Sequence, residues 1–322
     1  MATARSLIVR PGQLGHFHCT ARVVQQMFLC GHDRTTGKNY DHRRDWIQAR
    51  IEELATIFAV SIHGFAVMSN HLHLVLTVDP GHVGTWSDME VAQRAGLLYR
   101  RADETNEERL ARALVWRDIP ERIAALRVRL GSLSHFMAAL SYPIARAANL
   151  ESGKKGHFWD KRFYCQRLED ESALLSAMVY VDLNPIRAGL AEDLSSSDHT
   201  SAQLRINAIE TDRRLAADGL LPVFGPYRRQ LLPLNHAQYL DLVDQTGRDL
   251  HPRKRGRIAA QTPPILRQLG MSQSQWRRQV LATESRFCRA IGSLDSLMQL
   301  AEHLGQRWVR GITFARANAR NG

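Results

Sequence analysis

Four cysteines among 322 residues, Cys19, Cys30, Cys165 and Cys288, form no CxxC pair. That removes the disulfide framework of a small secreted domain and the ligand spacing of a zinc ribbon. Long hydrophobic runs are missing as well: none approaches the roughly 18–20 apolar residues needed to span a bilayer. The stretch Leu7-Ile8-Val9, between Arg5 and Arg10, is too short for the apolar core of a signal peptide. The expectation is a cytoplasmic protein with reduced thiols and no membrane partner. No GxxxxGK[ST] loop occurs, so no nucleotide cofactor is expected. Lysine is scarce, at Lys38, Lys154, Lys155, Lys161 and Lys254 only.

Arginine is plentiful by contrast. The net charge of +11 and pI near 10.0 favour a polyanionic partner, because basic side chains gain affinity for phosphates by releasing condensed counterions. Nucleic acid is the first candidate, although an arginine-rich surface alone would give the same balance. The charge is uneven, at +3 over residues 1–192 and +8 over residues 193–322. The polar, serine-rich stretch from Asp193 to Ser201 has neither helical nor strand period and reads as a surface connection. Two domains are expected: 1–192, carrying the chemistry, and 193–322, basic, mainly helical and DNA-binding.

Within the first part, His16–Val24 reads as a strand, and Arg43–Phe58 places Trp46, Ile47, Ile51, Leu54 and Ile57 at helical spacing. Ser61–Val67 is β-like, Ser69-Asn70 a turn, and His71–Val78 alternates. His71, His73, Val75 and Thr77 then share one face, and Leu72, Leu74, Leu76 and Val78 the other. Polar Pro80–Asn106 reads as an excursion from the core. Pro120–Leu130 and Leu133–Leu150 read as helices, the second interrupted near Pro143. Phe158–Leu168 is a further strand, and Asp170 caps a helix over Glu171–Asn184 that Pro185 and Gly189 end. The order predicts an α+β fold: an antiparallel sheet with helices on one face. Further along, His236–Asp244 reads as a helix and Pro252–Arg257 as a basic loop.

Two imidazoles two residues apart on a strand point to one side with Cα atoms roughly 6–7 Å apart, a spacing that suits joint coordination of a cation. An isolated HxH is more often packing than ligation. Here it is joined by Tyr180 and Asn184, four apart on the capped helix, so that a phenol and an amide oxygen project from one face.

Met68-Ser-Asn-His-Leu-His-Leu-Val-Leu76, followed by Tyr180-Val-Asp-Leu-Asn-Pro-Ile-Arg-Ala-Gly189, resembles the REP-associated tyrosine transposases, which are single-tyrosine HUH transposases. His18-Cys-Thr-Ala-Arg22 and Gly156-His-Phe-Trp-Asp-Lys-Arg-Phe163 extend the likeness over roughly residues 14 to 201. The resemblance implies a ferredoxin-like sheet, a divalent metal, and cleavage of one DNA strand that leaves a 5′-phosphotyrosine and a free 3′-hydroxyl. In related single-tyrosine enzymes the third ligand is often glutamine, and the REP-associated branch resembles this chain in having asparagine there.

On this reading His71, His73 and Asn184 hold Mg²⁺ or Mn²⁺, with positions left open for phosphate oxygens and water. Tyr180 is the nucleophile, and its ordinary pKa of about 10 calls for a nearby cation or base. Asn184 has a competing role as a cap at the helix end before Pro185. His16 and His18 form a second HxH that contacts DNA or fills the sheet surface; the family pattern matches at His18 only. Arg162 and Arg187 are candidate phosphate contacts, with Trp159 or Phe163 for base stacking, Phe163 being the better core candidate. Arg253, Lys254, Arg255 and Arg257 are the candidates for backbone contact in the C-terminal part. The expected partner is single-stranded or hairpin DNA, and the expected assembly a monomer or a homodimer. Two other readings remain open: a domesticated hairpin-binding protein without transposition activity, and a metal phosphodiesterase that uses water and dispenses with Tyr180.

Overall fold

The computed structural model describes residues 8–10, 12–25, 27–33, 36–250, 264–285 and 288–320. Its first elements follow the alternation and helical spacing in the sequence: β1 (Gly15–Arg22), α1 (Arg43–Ile57), β2 (Val60–Val67) and β3 (His71–Val78). Strands β2 and β3 form the expected hairpin about Ser69-Asn70, with Val67 opposite Leu72. The register slips between Ile62 and Gly64, so His63 is the extra residue of a bulge. Strand β3 also pairs antiparallel with β1, setting His16 opposite Thr77, His18 opposite Val75 and Thr20 opposite His73.

The segment after β3 is not an excursion. It holds α2 (Pro80–Val83), α3 (Asp88–Leu98) and α4 (Asn106–Arg117), followed by α5 (Pro120–Leu130) and α6 (Leu133–Ser152). Ser87 caps α3 and Thr105 forms a capping box with Glu108 on α4, while Val91, Ala92 and Ala95 join the main core. Charged residues hide this in the sequence because arginine stems themselves pack: Arg94 lies over Trp86, and Arg112 and Arg122 over Trp116. Helix α6 continues past Pro143. A proline cannot donate to the carbonyl four residues back, and Arg50 of α1 donates to that carbonyl, on Ala139, instead.

Strand β4 (Tyr164–Leu168) pairs antiparallel with β1 and begins later than the sequence pattern predicts. Helix α7 (Glu171–Asp182) is capped by Asp170, whose carboxylate accepts from the Ala173 amide at 2.9 Å. Short α8 (Asn184–Arg187) follows, then α9 (Ser201–Thr211), α10 (His236–Leu250), α11 (Pro264–Gln268) and α12 (Gln273–Ala282). Strand β5 (Ala290–Ile291), α13 (Leu294–His303) and α14 (Ile312–Arg320) complete the described chain.

The α+β class stands, with the sheet ordered β2-β3-β1-β4-β5. Four strands are antiparallel as expected; β5 is parallel to β4, making the sheet mixed. The helices cover both faces rather than one. Leu72, Leu74, Leu76 and Val78 pack with Ile47, Ile51 and Leu54 of α1, while Ala66 and Val75 on the opposite side pack with α7. The cause lies in α7, where every residue from Ala173 to Asp182 is buried; a helix apolar on all sides has to be enclosed.

Packing also runs across the serine-rich stretch at residue 193. The cluster around α7 includes Leu234, Tyr239, Val243, Trp276 and Ile291, so the later residues share a core with the tyrosine helix. Asp170 ties the two parts a second time, accepting from the Ser293 amide and, at 2.9 Å, from the Ser296 hydroxyl. Arg253, Lys254, Arg255 and Arg257 lie outside the described residues. Among the described residues no single helix is long and apolar enough to cross a membrane.

Candidate active site

Because β1 and β3 are neighbours in register, His71, His73, Thr20 and His18 lie on the sheet face that α7 covers. His71 and His73 meet edge to face, with ring centroids 4.7 Å apart. Tyr180 descends from α7 onto His73 and His18: its ring centroid lies 5.7 Å from that of His73 and 5.9 Å from that of His18. The HxH pair and the tyrosine, 107 positions apart between His73 and Tyr180, thus form one cluster.

The hydrogen bonds of the histidines engage one nitrogen of each ring. His71 Nδ1 lies 2.6 Å from Asn70 Oδ1, and an amide oxygen can only accept, so the Nδ1 proton is donated there and Nε2 carries the lone pair. His73 Nδ1 lies 2.9 Å from His18 Nε2 and 3.1 Å from Thr20 Oγ1. Its Nε2 is buried without a hydrogen-bond partner. A buried polar atom left unpaired costs roughly 1–3 kcal/mol, a cost that metal coordination removes. Burial pushes the His18 pKa down to about 4. Burial, followed by the neighbouring His18, His71 and Arg187, holds His73 well below the usual histidine range. Both imidazoles are therefore neutral near pH 7, the form that binds metals. Among the described residues no three histidine, cysteine, aspartate or glutamate side chains converge as a metal set, so a third protein ligand here has to come from another residue type.

Asn184 meets that requirement in part. Its Nδ2 donates to the Tyr180 carbonyl at 3.1 Å, which is the helix-capping role anticipated as the alternative; Oδ1 is the atom left for a cation or for solvent. Arg187, one turn further on, sets its guanidinium carbon 5.1 Å from the centre of the Tyr180 ring. Burial raises the pKa of the Tyr180 phenol and the charge of Glu284 raises it further, while Arg187 and Asn184 pull it down. Positive charge beside the phenol favours the phenolate, as Arg187 does here.

Other expected residues fall elsewhere. Arg162 is exposed ahead of β4 and is not among the groups around Tyr180. The Trp159 indole N–H donates to the Ser141 carbonyl at 2.9 Å and its ring packs edge-on against Phe158, so it is built into the fold rather than presented for stacking; Phe163 packs against the core as expected. His16 lies on the same face further along β1, 2.7 Å from the Thr77 hydroxyl, which His63 approaches at 2.6 Å.

Three residues that shape the site escape a reading of the sequence. Gln166 on β4 holds His18 Nδ1 with its Oε1 at 2.8 Å. The only hint is a polar residue in the middle of a strand. Thr20 touches His73, a neighbour visible only once the register is known. Asp182, inside the tyrosine motif, faces away from the histidines and accepts hydrogen bonds from Ser201 Oγ, the Ala202 amide and the Tyr239 hydroxyl. It ties the end of α7 to α9 and α10.

No family model and no curated protein matches the chain. Among solved structures, the chain is similar to a REP-associated tyrosine transposase bound to a REP hairpin, at 12% identity and a TM-score of 0.33, with 82% of this chain and 96% of that chain covered.

Proposed function

We propose that this protein is a metal-dependent single-strand DNA endonuclease and strand transferase that works through a 5′-phosphotyrosine on Tyr180, acting at DNA hairpins in transposition. The observation that carries the reading is the meeting of the Tyr180 ring with His73, whose buried Nε2 has no hydrogen-bond partner. His71 and His73, with Asn184 Oδ1, are the residues that would hold Mg²⁺ or Mn²⁺. When bound, such an ion supplies Lewis-acid polarisation of a phosphate oxygen and positive charge beside the phenol.

The chain's own groups account for the rest. Arg187 stabilises the Tyr180 phenolate and the negative charge that grows on the phosphate. The phenolate oxygen bonds to phosphorus as the bond from phosphorus to the 3′ oxygen breaks, and the proton lost by the phenol is balanced by one gained at the departing 3′ oxygen. The new phosphotyrosine diester keeps the energy of the old one, so a second 3′-hydroxyl can attack it and restore Tyr180 without a nucleotide. A water-using phosphodiesterase would have no need of a phenol in this position.

The test is incubation of the protein with labelled single-stranded hairpin oligonucleotides and Mg²⁺ or Mn²⁺, read on denaturing gels and by mass spectrometry. The expected product is a covalent adduct on Tyr180, lost in Tyr180→Phe and on chelation while DNA binding persists. Cleavage that survives in Tyr180→Phe removes the phosphotyrosine mechanism; tight binding without cleavage on a panel of hairpins supports a binder instead.

A further inference from the structure

We infer that Gln166 is a positioning residue that sets the tautomer of His73 through His18, so that backbone carbonyls of the C-terminal part determine which nitrogen the metal site presents. The chain of reasoning starts at Ser285 and Cys288. Gln166 Nε2 lies 3.0 Å from the Ser285 carbonyl and 3.0 Å from the Cys288 carbonyl. Both are acceptors, so the amide nitrogen has to face them; turned over, Oε1 would confront two oxygens. Oε1 is thereby fixed toward His18 Nδ1 at 2.8 Å. An amide oxygen only accepts, which places a proton on His18 Nδ1 and, in the neutral ring, a lone pair on Nε2.

The same logic carries to the next ring. His18 Nε2 lies 2.9 Å from His73 Nδ1, and two lone pairs cannot face each other at that distance. His73 Nδ1 therefore bears the proton, with Thr20 Oγ1 at 3.1 Å as a second acceptor, and the lone pair of His73 is on Nε2, the buried atom without a hydrogen-bond partner. The two rings lie nearly parallel, at 12°, which keeps the nitrogens aligned. Tyr164 reinforces the anchor, its hydroxyl donating to the Cys288 carbonyl at 2.6 Å. The arrangement is a relay of hydrogen bonds from residues 285 and 288 to the HxH pair, and it resembles the outer partners that orient metal-binding histidines generally. The inference deepens the reading of His73 as a ligand and depends on that reading only for its effect on metal.

The experiment is long-range ¹H–¹⁵N correlation on the ¹⁵N-histidine-labelled full chain without metal or DNA. The expected spectrum shows His18 and His73 both protonated at Nδ1, the less common tautomer of free histidine. Protonation of His73 at Nε2 overturns the relay. In Gln166→Leu, shown to be folded by its dispersed spectrum, His18 and His73 should shift toward the Nε2-protonated form, and Mn²⁺ affinity, titrated without DNA by electron paramagnetic resonance, should fall about 10–100-fold. Gln166→Glu, which when protonated both donates to a carbonyl and accepts from His18, should restore the tautomers. Unchanged tautomers in Gln166→Leu also overturn the relay. Because no readout involves DNA, the relay stands or falls separately from strand cleavage.

Discussion

Glu284 holds the guanidinium of Arg187 at 2.6 Å, and thereby ties the cation over the nucleophile to the C-terminal part of the chain. The two charges act on Tyr180 in opposite senses: Glu284 raises its pKa and Arg187 lowers it. Glu284→Gln should move the acidic limb of the cleavage pH profile to lower pH, and Arg187→Ala should slow cleavage by roughly 10²-fold, the scale of losing one charge-stabilising group. Single-turnover rates of adduct formation across pH decide this. A profile that moves to higher pH in Glu284→Gln would contradict the assigned electrostatics.

Part of the acid sensitivity should arise at His16 and His63, which share the Thr77 hydroxyl. Burial, followed by the nearby Arg167, pushes His16 down to about 4, and burial, His16 and Arg205 push His63 down to about 3. Unfolded histidines take up protons near pH 6.5, so below that pH the unfolded state binds more protons and stability falls as pH falls. The loss begins near 6.5 and runs to about 4 for His16 and about 3 for His63, with a slope of up to about 1.4 kcal/mol per pH unit for each group. Urea midpoints measured from pH 7.5 to 5 should drop in the native sequence and drop less in a His16→Gln, His63→Gln double variant. Equal slopes in the two proteins would locate the acid sensitivity elsewhere.

Asp182→Ala should cost about 3–5 kcal/mol, the scale of breaking a buried charged network from one side. Ser201, Ala202 and Tyr239 would lose their acceptor, and Arg205, buried and stacked over Tyr239 with 5.5 Å between guanidinium carbon and ring centre, would lose its nearby carboxylate. The expected result is a lower unfolding midpoint in denaturant at an unchanged slope. A change under about 1 kcal/mol would mean that other interactions set the position of α7.

The parts of this design legible in the sequence are those carried by local period. Alternation from His71 to Val78 assigns the strand end for end, and the capped helix that begins at Asp170 carries Tyr180, which meets His18 and His73. What escapes is set by distant partners. Gln166 meets the carbonyls of Ser285 and Cys288 about 120 positions away, and the two residues of β5 are too few to show any period. Helices α3 and α4 escape because few of their buried residues are large and apolar: Val91, Ala92, Ala95 and Gly96 on α3, and Ala113 and Trp116 on α4. The break expected at Pro143 is absent because Arg50, from another helix, takes up the carbonyl that the proline leaves open.

Charge alone leads to the expectation that residues 193–322 are a separate DNA-binding part, and that removing residues 202–322 would leave a folded protein that binds hairpins less well. The packing predicts a different outcome. Removing them strips Tyr239, Val243, Trp276 and Ile291 from the cluster around α7, takes away the β5 pairing with β4, and breaks the Gln166 anchor. A fragment of residues 1–201 should therefore aggregate or show hydrophobic dye binding rather than a clean affinity defect. A soluble fragment with a cooperative unfolding transition would refute the shared core. The contribution of the basic loop is better measured in the full chain by combined alanine substitution of Arg253, Lys254, Arg255 and Arg257. If these side chains neutralise phosphates, hairpin affinity should fall and the slope of log affinity against log salt should flatten by roughly 0.7–0.9 for each phosphate no longer neutralised; an unchanged slope would assign the electrostatic attraction to other arginines.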